Sequence, residues 1–371
     1  MGDKIQAIVM PKWGLAMQEG TLTDWLVEEG AEIKPGMEIC DIETSKIASA
    51  MESTLGGKLQ RRVAEPGVTL PVGALLGVVT DGAVADAEID AFVGKFQEEF
   101  ATAAAQAATE APKSQTVHVG DTAINYLKLG DGGVPIVFVH GFGGDLNNWM
   151  FNQPVLAGKR ATYALDLPGH GASGKAVKDG SLAGLTQLLA GFMDALKIDK
   201  AHLVGHSLGG AIIAQLAIEQ PAKAASLTLV SSAGLGPEIN MDYIDGFIAG
   251  SSRRDMKPVL EKLFANTELV SRDMVNDILK FKRLDGVDAA LKTIAGAVFA
   301  NGKQGTVLKD KLAGVTIPVQ AIVGAKDQII PAAHSQNLGG NVKVHRLADA
   351  GHMPHMEAVG EVNKLIDAIA K

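Results

Sequence analysis

Two patterns of hydrophobic and polar residues divide the chain. Up to about residue 80, short apolar stretches such as 21–27 alternate with glycine-containing turns. Strands this short at this spacing are typical of a small antiparallel β-sandwich or flattened barrel. From about Gln115, buried apolar strands alternate with helical stretches, which predicts a mostly parallel sheet covered by helices on both faces. The pattern therefore predicts an all-β domain at 1–80 and an α/β domain at 114–371.

An internal repeat supports the interpretation of the first domain. Six residue pairs recur at an offset of 37 positions: Gly20/Gly57, Leu22/Leu59, Glu28/Glu65, Gly30/Gly67, Ile33/Leu70 and Gly36/Gly73. Glycine at such points allows the positive φ that tight turns need. Because half a unit could not bury its own apolar face, the two copies are expected to pack together.

A linker with an amphipathic helix is predicted at 81–113. Its apolar positions share one helical face: Ile89, Phe92, Val93, Phe96 and Phe100. The alanine-rich stretch Thr102–Lys113 is interpreted as a tether that ends near Pro112. Two interpretations of the stripe stay open. Either it packs on the catalytic domain, or its phenylalanines anchor a docking or oligomerisation helix in a partner groove.

The second domain carries six predicted strands and three predicted helices. The strands are Val134–His140, Ala161–Leu165, His202–Gly205, Leu227–Ser231, Val319–Gly324 and Val342–Leu347. The helices are Leu182–Leu196, Leu208 to about Gln220, and Glu357–Ala370. Further helical stretches, at about 237–310, interrupt this alternation.

Composition narrows the possible functions. The 371 residues include 34 Lys and Arg against 42 Asp and Glu, a net charge of −8, which argues against nucleic-acid binding. The single cysteine, Cys40, excludes an intramolecular disulfide and a cysteine-based zinc cluster. No signal peptide, no apolar run of about 18 residues and no metal-ligand spacing is visible. We therefore expect a cytoplasmic protein that uses neither a metal nor a membrane.

Lys46 lies between two strand-like runs, 37–42 and 47–51, and Glu43-Thr44-Ser45 precedes it. This places it at the tip of a hairpin, where a lone lysine is usually a solvated turn residue. Together with the segment 10–20 and the repeat, these residues resemble a lipoyl domain. The resemblance implies that Lys46 carries lipoic acid in amide linkage. Biotinyl domains share the fold, but methionines usually flank their lysine, so lipoic acid is favoured.

Gly205-His206-Ser207-Leu208-Gly209 is a G-x-S-x-G motif at a predicted strand-to-helix junction, the context that a nucleophile elbow requires. His140-Gly141-Phe142-Gly143 closes an earlier strand, and Asp327 and His352 follow later strands. These residues resemble the α/β-hydrolase family over about 115–371. The resemblance implies that Ser207 is the nucleophile, His352 the base and Asp327 the orienting acid. It also implies an oxyanion hole from the backbone N–H groups of Phe142 and Leu208, and a lid over the site at 237–310.

Other polar residues near these motifs are weaker candidates. Asp166 precedes Ser207 in the chain and is expected to support a loop, and Asp349 is less well placed than Asp327. His140 and His206 are expected to be structural neighbours of the site. Three further histidines are expected at the surface: His334, His345 and His355. Three basic residues of the lid, Arg253, Arg254 and Lys257, meet either substrate phosphates or, more often for such a cluster, only solvent.

The two domains together resemble the dihydrolipoamide acetyltransferase components of acetoin dehydrogenase systems. That resemblance implies acetyl transfer from a dihydrolipoyl arm to coenzyme A. It also implies two partner enzymes: a thiamine-diphosphate-dependent acetoin dehydrogenase component and a dihydrolipoamide dehydrogenase. A homo-oligomer is a further expectation. Two alternatives stay open from sequence: a serine hydrolase or thioesterase that carries a lipoyl domain, and an inert α/β scaffold beside a carrier lysine.

Overall fold

The computed structural model describes residues 5–12, 19–44, 48–110, 112–340 and 342–371. Lys46 lies outside the described residues. The chain divides into two compact units, Met1–Ala111 and Pro112–Lys371. Among the described residues, no helix is both long enough and apolar enough to cross a membrane.

The N-terminal unit contains eight described strands: β1 (Ile5–Val9), β2 (Glu19–Trp25), β3 (Glu32–Ile33), β4 (Glu38–Glu43), β5 (Ala48–Glu52), β6 (Gly57–Arg62), β7 (Thr69–Pro71) and β8 (Leu75–Thr80). They form two antiparallel sheets, ordered β1-β8-β6-β3 and β5-β4-β2-β7. Leu22 and Leu59, partners in the repeat, are both fully buried in one shared core. The predicted two-copy β fold is therefore confirmed.

The turns of the repeat also match in conformation. Gly30 and Gly67 have φ of 89° and 86°, and Gly36 and Gly73 have φ of 82° and 87°. An L-residue with a Cβ is strained in this region, which accounts for glycine at both copies of each turn. Cys40 on β4 is fully buried with Sγ 3.9 Å from Met51 Sδ. Burial raises the pKa of the Cys40 thiol to about 12.

The helix α1 (Asp86–Glu110) follows β8. It packs on β8 of its own unit, a contact that neither interpretation of its stripe named. Ile89 is buried, and Asp90 pairs with Arg61 at 2.8 Å. The helix continues to Glu110, so the stretch interpreted as a tether is helical for most of its length.

The C-terminal unit contains β9 (Gln115–Val119), β10 (Thr122–Leu129), β11 (Ile136–Val139), β12 (Thr162–Leu165), β13 (Ala201–His206), β14 (Ala224–Val230), β15 (Val319–Gly324) and β16 (Val342–Leu347). They form one sheet, ordered β16-β15-β14-β13-β11-β12-β10-β9. From β11 to β16 all pairings are parallel, whereas β9 and β10 pair antiparallel at one edge. The predicted parallel sheet is confirmed, and its buried central strand β13 leads to the serine motif.

The helices of this unit are α2 (Gln153–Ala157), α3 (Leu182–Ala195), α4 (Leu208–Glu219), α5 (Met241–Ala249), α6 (Arg253–Glu261), α7 (Arg272–Lys282), α8 (Val287–Val298), α9 (Lys309–Leu312), α10 (Pro354–Glu357) and α11 (Val359–Ile369). The helices α5 to α8 occupy the insertion at 237–310. The terminal helix predicted at Glu357–Ala370 is confirmed as α11 except at its start, because Ala358, with φ −124° and ψ 47°, separates Glu357 at the end of α10 from α11.

Candidate active site

Ser207 lies on a sharp turn between β13 and α4. Its φ of 52° and ψ of −117° lie in a region that a non-glycine residue rarely adopts, and such strain is concentrated at functional sites. The flanking glycines are required by close approach. A Cβ at Gly209 would lie 2.2 Å from the Val139 carbonyl oxygen, and one at Gly205 would lie 2.4 Å from the Gly209 carbonyl oxygen. Glycine is thus required at both positions by close backbone approach, of Gly209 to β11 and of Gly205 to Gly209.

The backbone of Ser207 is held at both ends. Its N–H donates to the carbonyl of Val230 at 3.0 Å, and its own carbonyl accepts from Gly210, Ala211 and Ala233. Leu208 is the first residue of α4, so its N–H is one of those that a helix leaves unpaired at its N-terminus. The positive end of the helix dipole lies at the same point. A developing negative charge beside Ser207 would be stabilised there.

Asp327 and His352 meet directly. His352 Nδ1 lies 2.8 Å from Asp327 Oδ2, and each side chain is only 2% exposed. The other oxygen, Asp327 Oδ1, accepts the backbone N–H groups of Ile329 and Ile330 at 2.8 and 2.9 Å. Asp349, the weaker candidate, is 93% exposed and pairs with Lys326. The structure therefore places Asp327, and not Asp349, against the histidine.

Ser207 is connected to this pair through the preceding residue. The His206 ring lies 4.7 Å from the His352 ring, and its Nε2 is 2.9 Å from the His352 carbonyl oxygen. Since a carbonyl only accepts, His206 Nε2 carries the proton. Among the described residues, no direct hydrogen bond joins Ser207 Oγ to His352. Such bonds often form only when substrate is bound.

The loop that follows β11 packs against the serine turn. A Cβ at Gly141 would lie 2.9 Å from Ser207 Cβ. The Gly141 carbonyl accepts from Gly144 N–H at 3.1 Å and from His140 Nδ1 at 2.7 Å. In a trans peptide the N–H points opposite to the carbonyl, so these two bonds fix the direction of the Phe142 N–H.

Two buried histidines stabilise this loop through hydrogen bonds to backbone N–H groups. His140 Nε2 accepts the Leu167 N–H at 2.9 Å, and His170 Nε2 accepts the Gly143 N–H at 3.0 Å. Burial lowers the pKa of His140, and it lowers the pKa of His170 to about 3. Both rings are therefore neutral near pH 7, with Nε2 unprotonated and able to accept these N–H groups. The sequence pattern predicts His140 as a structural neighbour of the site, whereas no pattern indicates a role for His170.

The buried Asp166 carboxylate also stabilises this loop. Its Oδ1 accepts the Leu146 N–H at 2.7 Å, and its Oδ2 accepts Asn125 Nδ2 and the Ala172 N–H, both at 2.8 Å. It is 2% exposed. The carboxylate thus joins the loop after β11 to the loop after β12, and its recorded partners do not include His352.

Two expectations about the surface histidines are wrong. The His334 side chain is only 9% exposed, with Nε2 2.6 Å from Glu238. His355 was expected at the surface but is fully buried, with its ring 4.5 Å from Trp149 and 4.7 Å from His206. Neither of its ring nitrogens has a hydrogen-bond partner among the described residues. Burial lowers the pKa of His355 to about 3. The position is internal because α10 packs against His206 of the serine motif. No local sequence pattern indicates this contact.

The helical insertion at 237–310, the predicted lid, covers the loop at 140–143 with aromatic side chains. Tyr243 Oη lies 3.4 Å from the Phe142 carbonyl oxygen, and the Phe142 ring lies 6.0 Å from Phe247 and 5.9 Å from Phe299. A Cβ at Gly143 would lie 2.5 Å from the Phe247 ring. The lid therefore contacts the candidate oxyanion loop directly.

The basic residues of the lid are on its exposed side. Arg253, Arg254 and Lys257 are all exposed. Lys257 pairs with Glu261 at 3.0 Å, and Arg253 Nε donates to Asn276. These contacts favour the solvated interpretation of the cluster.

Comparison with known proteins gives matches over both units. Residues 6–79 match a family described as biotin-requiring enzymes, and residues 134–359 match the family described by the alpha/beta hydrolase fold. A dihydrolipoyllysine-residue acetyltransferase component of the acetoin-cleaving system from Pseudomonas putida is 47% identical over 98% of this chain and 97% of its own length. The corresponding protein from Cupriavidus necator is 45% identical over 97% and 96%.

Solved structures resemble the second unit. A meta-cleavage product hydrolase from Pseudomonas fluorescens superposes with a TM-score of 0.63 at 21% identity, over 68% of this chain and 95% of its own. At this level of identity the likeness concerns the fold alone.

Proposed function

Because this chain belongs to the dihydrolipoyllysine-residue acetyltransferase components of acetoin-cleaving systems, we propose that its acetyl transfer takes place at Ser207. The family reaction moves an acetyl group from dihydrolipoyl-lysine to coenzyme A. The chain has the two parts that this reaction needs, a lipoyl-type domain and an α/β-hydrolase domain. Our proposal concerns which residues perform it.

Ser207, His352 and Asp327 form the proposed catalytic triad. The observation that carries the proposal is the 2.8 Å contact between His352 and Asp327 beside the strained serine turn. A serine hydroxyl is a weak nucleophile until a base takes its proton. His352 Nε2 takes that proton as Ser207 Oγ attacks the thioester carbonyl, and returns it to the departing thiol. Asp327 holds the Nδ1–H tautomer and stabilises the imidazolium.

The second half of the reaction uses the same groups. The acetyl group is then an ester on Ser207. His352 takes the proton from the thiol of coenzyme A while the thiol sulfur attacks the ester carbonyl, and the proton passes to Ser207 Oγ as the ester bond breaks. The backbone N–H groups of Phe142 and Leu208 stabilise the oxyanion in both halves, a contribution of about 10²–10³-fold per donor. The orientation of Phe142 by Gly141 and the place of Leu208 at the start of α4 support these roles.

Lipoic acid is the prosthetic group of this family, and Lys46 is its proposed attachment site. The described strands on either side fit a carrier hairpin, because β4 and β5 pair antiparallel with Glu43 opposite Ala48. When attached, the lipoyl group supplies the acetyl group as a thioester. We propose the division 1–80, 81–113 and 114–371 for carrier, linker and catalytic domain, with the lid at 237–310.

The chain is a component of a multienzyme system, as its relatives are. We propose that its partners are the thiamine-diphosphate-dependent acetoin dehydrogenase component and dihydrolipoamide dehydrogenase, in the cytoplasm. The half-buried rings of Phe92, Phe96 and Phe100 leave apolar surface on α1 for a partner or a second copy of the chain.

One assay tests transfer against hydrolysis. Acetyl-dihydrolipoamide is supplied with and without coenzyme A to the wild type and to Ser207→Ala, and acetyl-coenzyme A and acetate are both measured. Transfer predicts acetyl-coenzyme A formation that is lost in Ser207→Ala. Acetate release that does not depend on coenzyme A indicates a hydrolase. Equal activity of wild type and variant contradicts the serine mechanism.

A further inference from the structure

We propose that Glu357 is a positioning residue for this reaction: its carboxylate ties the lid to the loop that carries His352. The inference rests on the proposed role of His352 as the base. Glu357 is the last residue of α10, five positions after His352, and it is partly buried. No sequence pattern indicates a function for Glu357.

Three backbone N–H groups converge on the Glu357 carboxylate. Oε2 accepts from Gly351 at 2.6 Å, while Oε1 accepts from Ala265 at 2.8 Å and from Asn266 at 3.3 Å. Gly351 directly precedes His352. Ala265 and Asn266 belong to the lid, in the segment after α6. One side chain therefore bridges two segments that are about ninety positions apart in the chain.

The two bridged segments also touch directly. The His352 N–H donates to the Leu263 carbonyl at 2.9 Å. A Cβ at Gly351 would lie 2.6 Å from the backbone nitrogen of Ala265. His352 is thus held at three points: by the lid at its N–H, by His206 at its carbonyl, and by Asp327 at its ring. Glu357 stabilises the contact between the lid and the His352 N–H.

The chemistry of the bridge requires a carboxylate. A carboxylate has two oxygens that only accept, so it can serve donors from both segments at once, and bonds to a charged acceptor are the stronger kind. Glutamine offers one oxygen and turns an NH₂ group toward the other N–H groups. In Glu357→Gln, either the Gly351 N–H or the N–H groups of Ala265 and Asn266 therefore lose their acceptor.

The expected effect is on turnover, because His352 serves as base in both half-reactions. A displacement of about 1 Å in a catalytic group can cost about 10²-fold in rate. We expect Glu357→Gln to lower kcat by about 10- to 100-fold in transfer to coenzyme A. KM for coenzyme A should change less than kcat, since Glu357 does not touch the proposed reacting atoms.

The test uses the full-length lipoylated chain. Active sites are counted by titration with a fluorophosphonate, which labels an activated serine, and kcat is expressed per titrated site. The control is Glu361→Gln, an exposed glutamate in the first turn of α11, which should stay close to wild type. If Glu357→Gln does not fold, Glu357→Asp keeps both oxygens on a shorter stem and should give a smaller loss of kcat.

A double-mutant cycle with Asp327→Asn separates positioning from general stability. If Glu357 acts through the orientation of His352, its effect on kcat should shrink where Asp327→Asn has already disturbed that orientation. Normal kcat per titrated site with fewer active sites, or effects that simply multiply, would overturn the inference. Failure of the triad proposal looks different, because Ser207→Ala would then keep its activity or its labelling.

Discussion

His206 holds the backbone carbonyl of His352 at 2.9 Å, so the residue before the proposed nucleophile fastens the loop that carries the proposed base. The serine turn and the histidine loop are distant in the chain, 146 positions apart for this pair. The link needs a proton on His206 Nε2, since the carbonyl oxygen only accepts. Burial lowers the pKa of His206, so the ring carries this proton in its neutral form.

The choice between the two acidic candidates can be tested by matched substitutions. Asp327→Asn should lower kcat by about 10³- to 10⁴-fold, because the amide cannot hold the required tautomer of His352 or stabilise its charged form. Asp349→Asn is the control, since that carboxylate is exposed and pairs with Lys326. Acetyl-coenzyme A formation measures both. A large loss in Asp349→Asn with little loss in Asp327→Asn would reverse the assignment.

Replacement of His170 should weaken the candidate oxyanion loop. His170→Phe keeps an aromatic ring beside Phe142 and Phe281 but removes the acceptor of the Gly143 N–H. We expect an unfolding free energy lower by about 1–3 kcal/mol, from the unpaired buried N–H. We also expect a kcat about 10-fold lower, from poorer oxyanion stabilisation. Urea denaturation and kcat per titrated site measure the two effects, and an unchanged kcat would argue against a role in catalysis.

The buried histidines predict loss of stability in acid. Burial lowers the pKa of His355 to about 3, whereas an unfolded chain has a histidine pKa near 6.5. Below pH 6.5 the unfolded state binds the proton and the folded state does not, so this contribution is complete above pH 6.5 and decreases as the pH falls toward 3. Between pH 6.5 and pH 5, this group lowers the free energy of unfolding by about 2 kcal/mol.

His355→Phe isolates this contribution. The variant keeps a ring against Trp149 and removes one titrating group, so its unfolding free energy should fall by about 2 kcal/mol less than that of the wild type over the same interval. His118→Phe, at an exposed position on the edge strand β9, is the matched control. Urea denaturation at several pH values gives both curves. Identical pH dependence in His355→Phe would mean that the ring is not kept neutral by burial.

Lipoylation is expected at Lys46. Intact-mass measurement of chain made in a lipoylating host should show the mass of one lipoyl group, and Lys46→Arg should lack it. The arginine keeps a positive charge but has no amine that can form the amide, so the fold should not change. Lys12→Arg, at a second lysine of the same domain, serves as control. An unmodified wild-type chain under these conditions would contradict the carrier assignment.

The only thiol of the chain should be unreactive in the native state. Cys40 is fully buried and its thiol pKa is raised to about 12, so little thiolate exists near pH 8. A thiol reagent such as dithionitrobenzoate should react slowly with the native protein and rapidly after unfolding in guanidinium. Equal rates before and after unfolding would show that Cys40 is accessible.

The parts of the fold and of the site that could be predicted from the sequence are those that depend on local patterns. The G-x-S-x-G motif, the glycine pairs of the repeat and the alternation of strands with helices each reflect a local requirement, either for backbone freedom or for burial of one face. The strands at Val319–Gly324 and Val342–Leu347 were predicted with their observed bounds.

Contacts between distant segments were missed for a physical reason. Glu357 binds the lid, His355 is covered by Trp149, and His170 accepts from Gly143, and in each case the partner is far away in the chain. Such a residue has no periodicity of its own, since its environment exists only after folding. The contact of α1 with β8 was missed because an amphipathic stripe shows which side is apolar but not which surface covers it.

Burial of Cys40 has a further consequence for a protein that handles activated acyl groups. Acyl thioesters exchange with accessible thiolates, and an exposed cysteine would compete with coenzyme A for the acetyl group. Burial raises the thiol pKa to about 12, so very little Cys40 is ionised at pH 7, and the residue is enclosed by the β-sandwich. Cys40 is therefore protected from acylation by the acetyl thioester that the chain transfers.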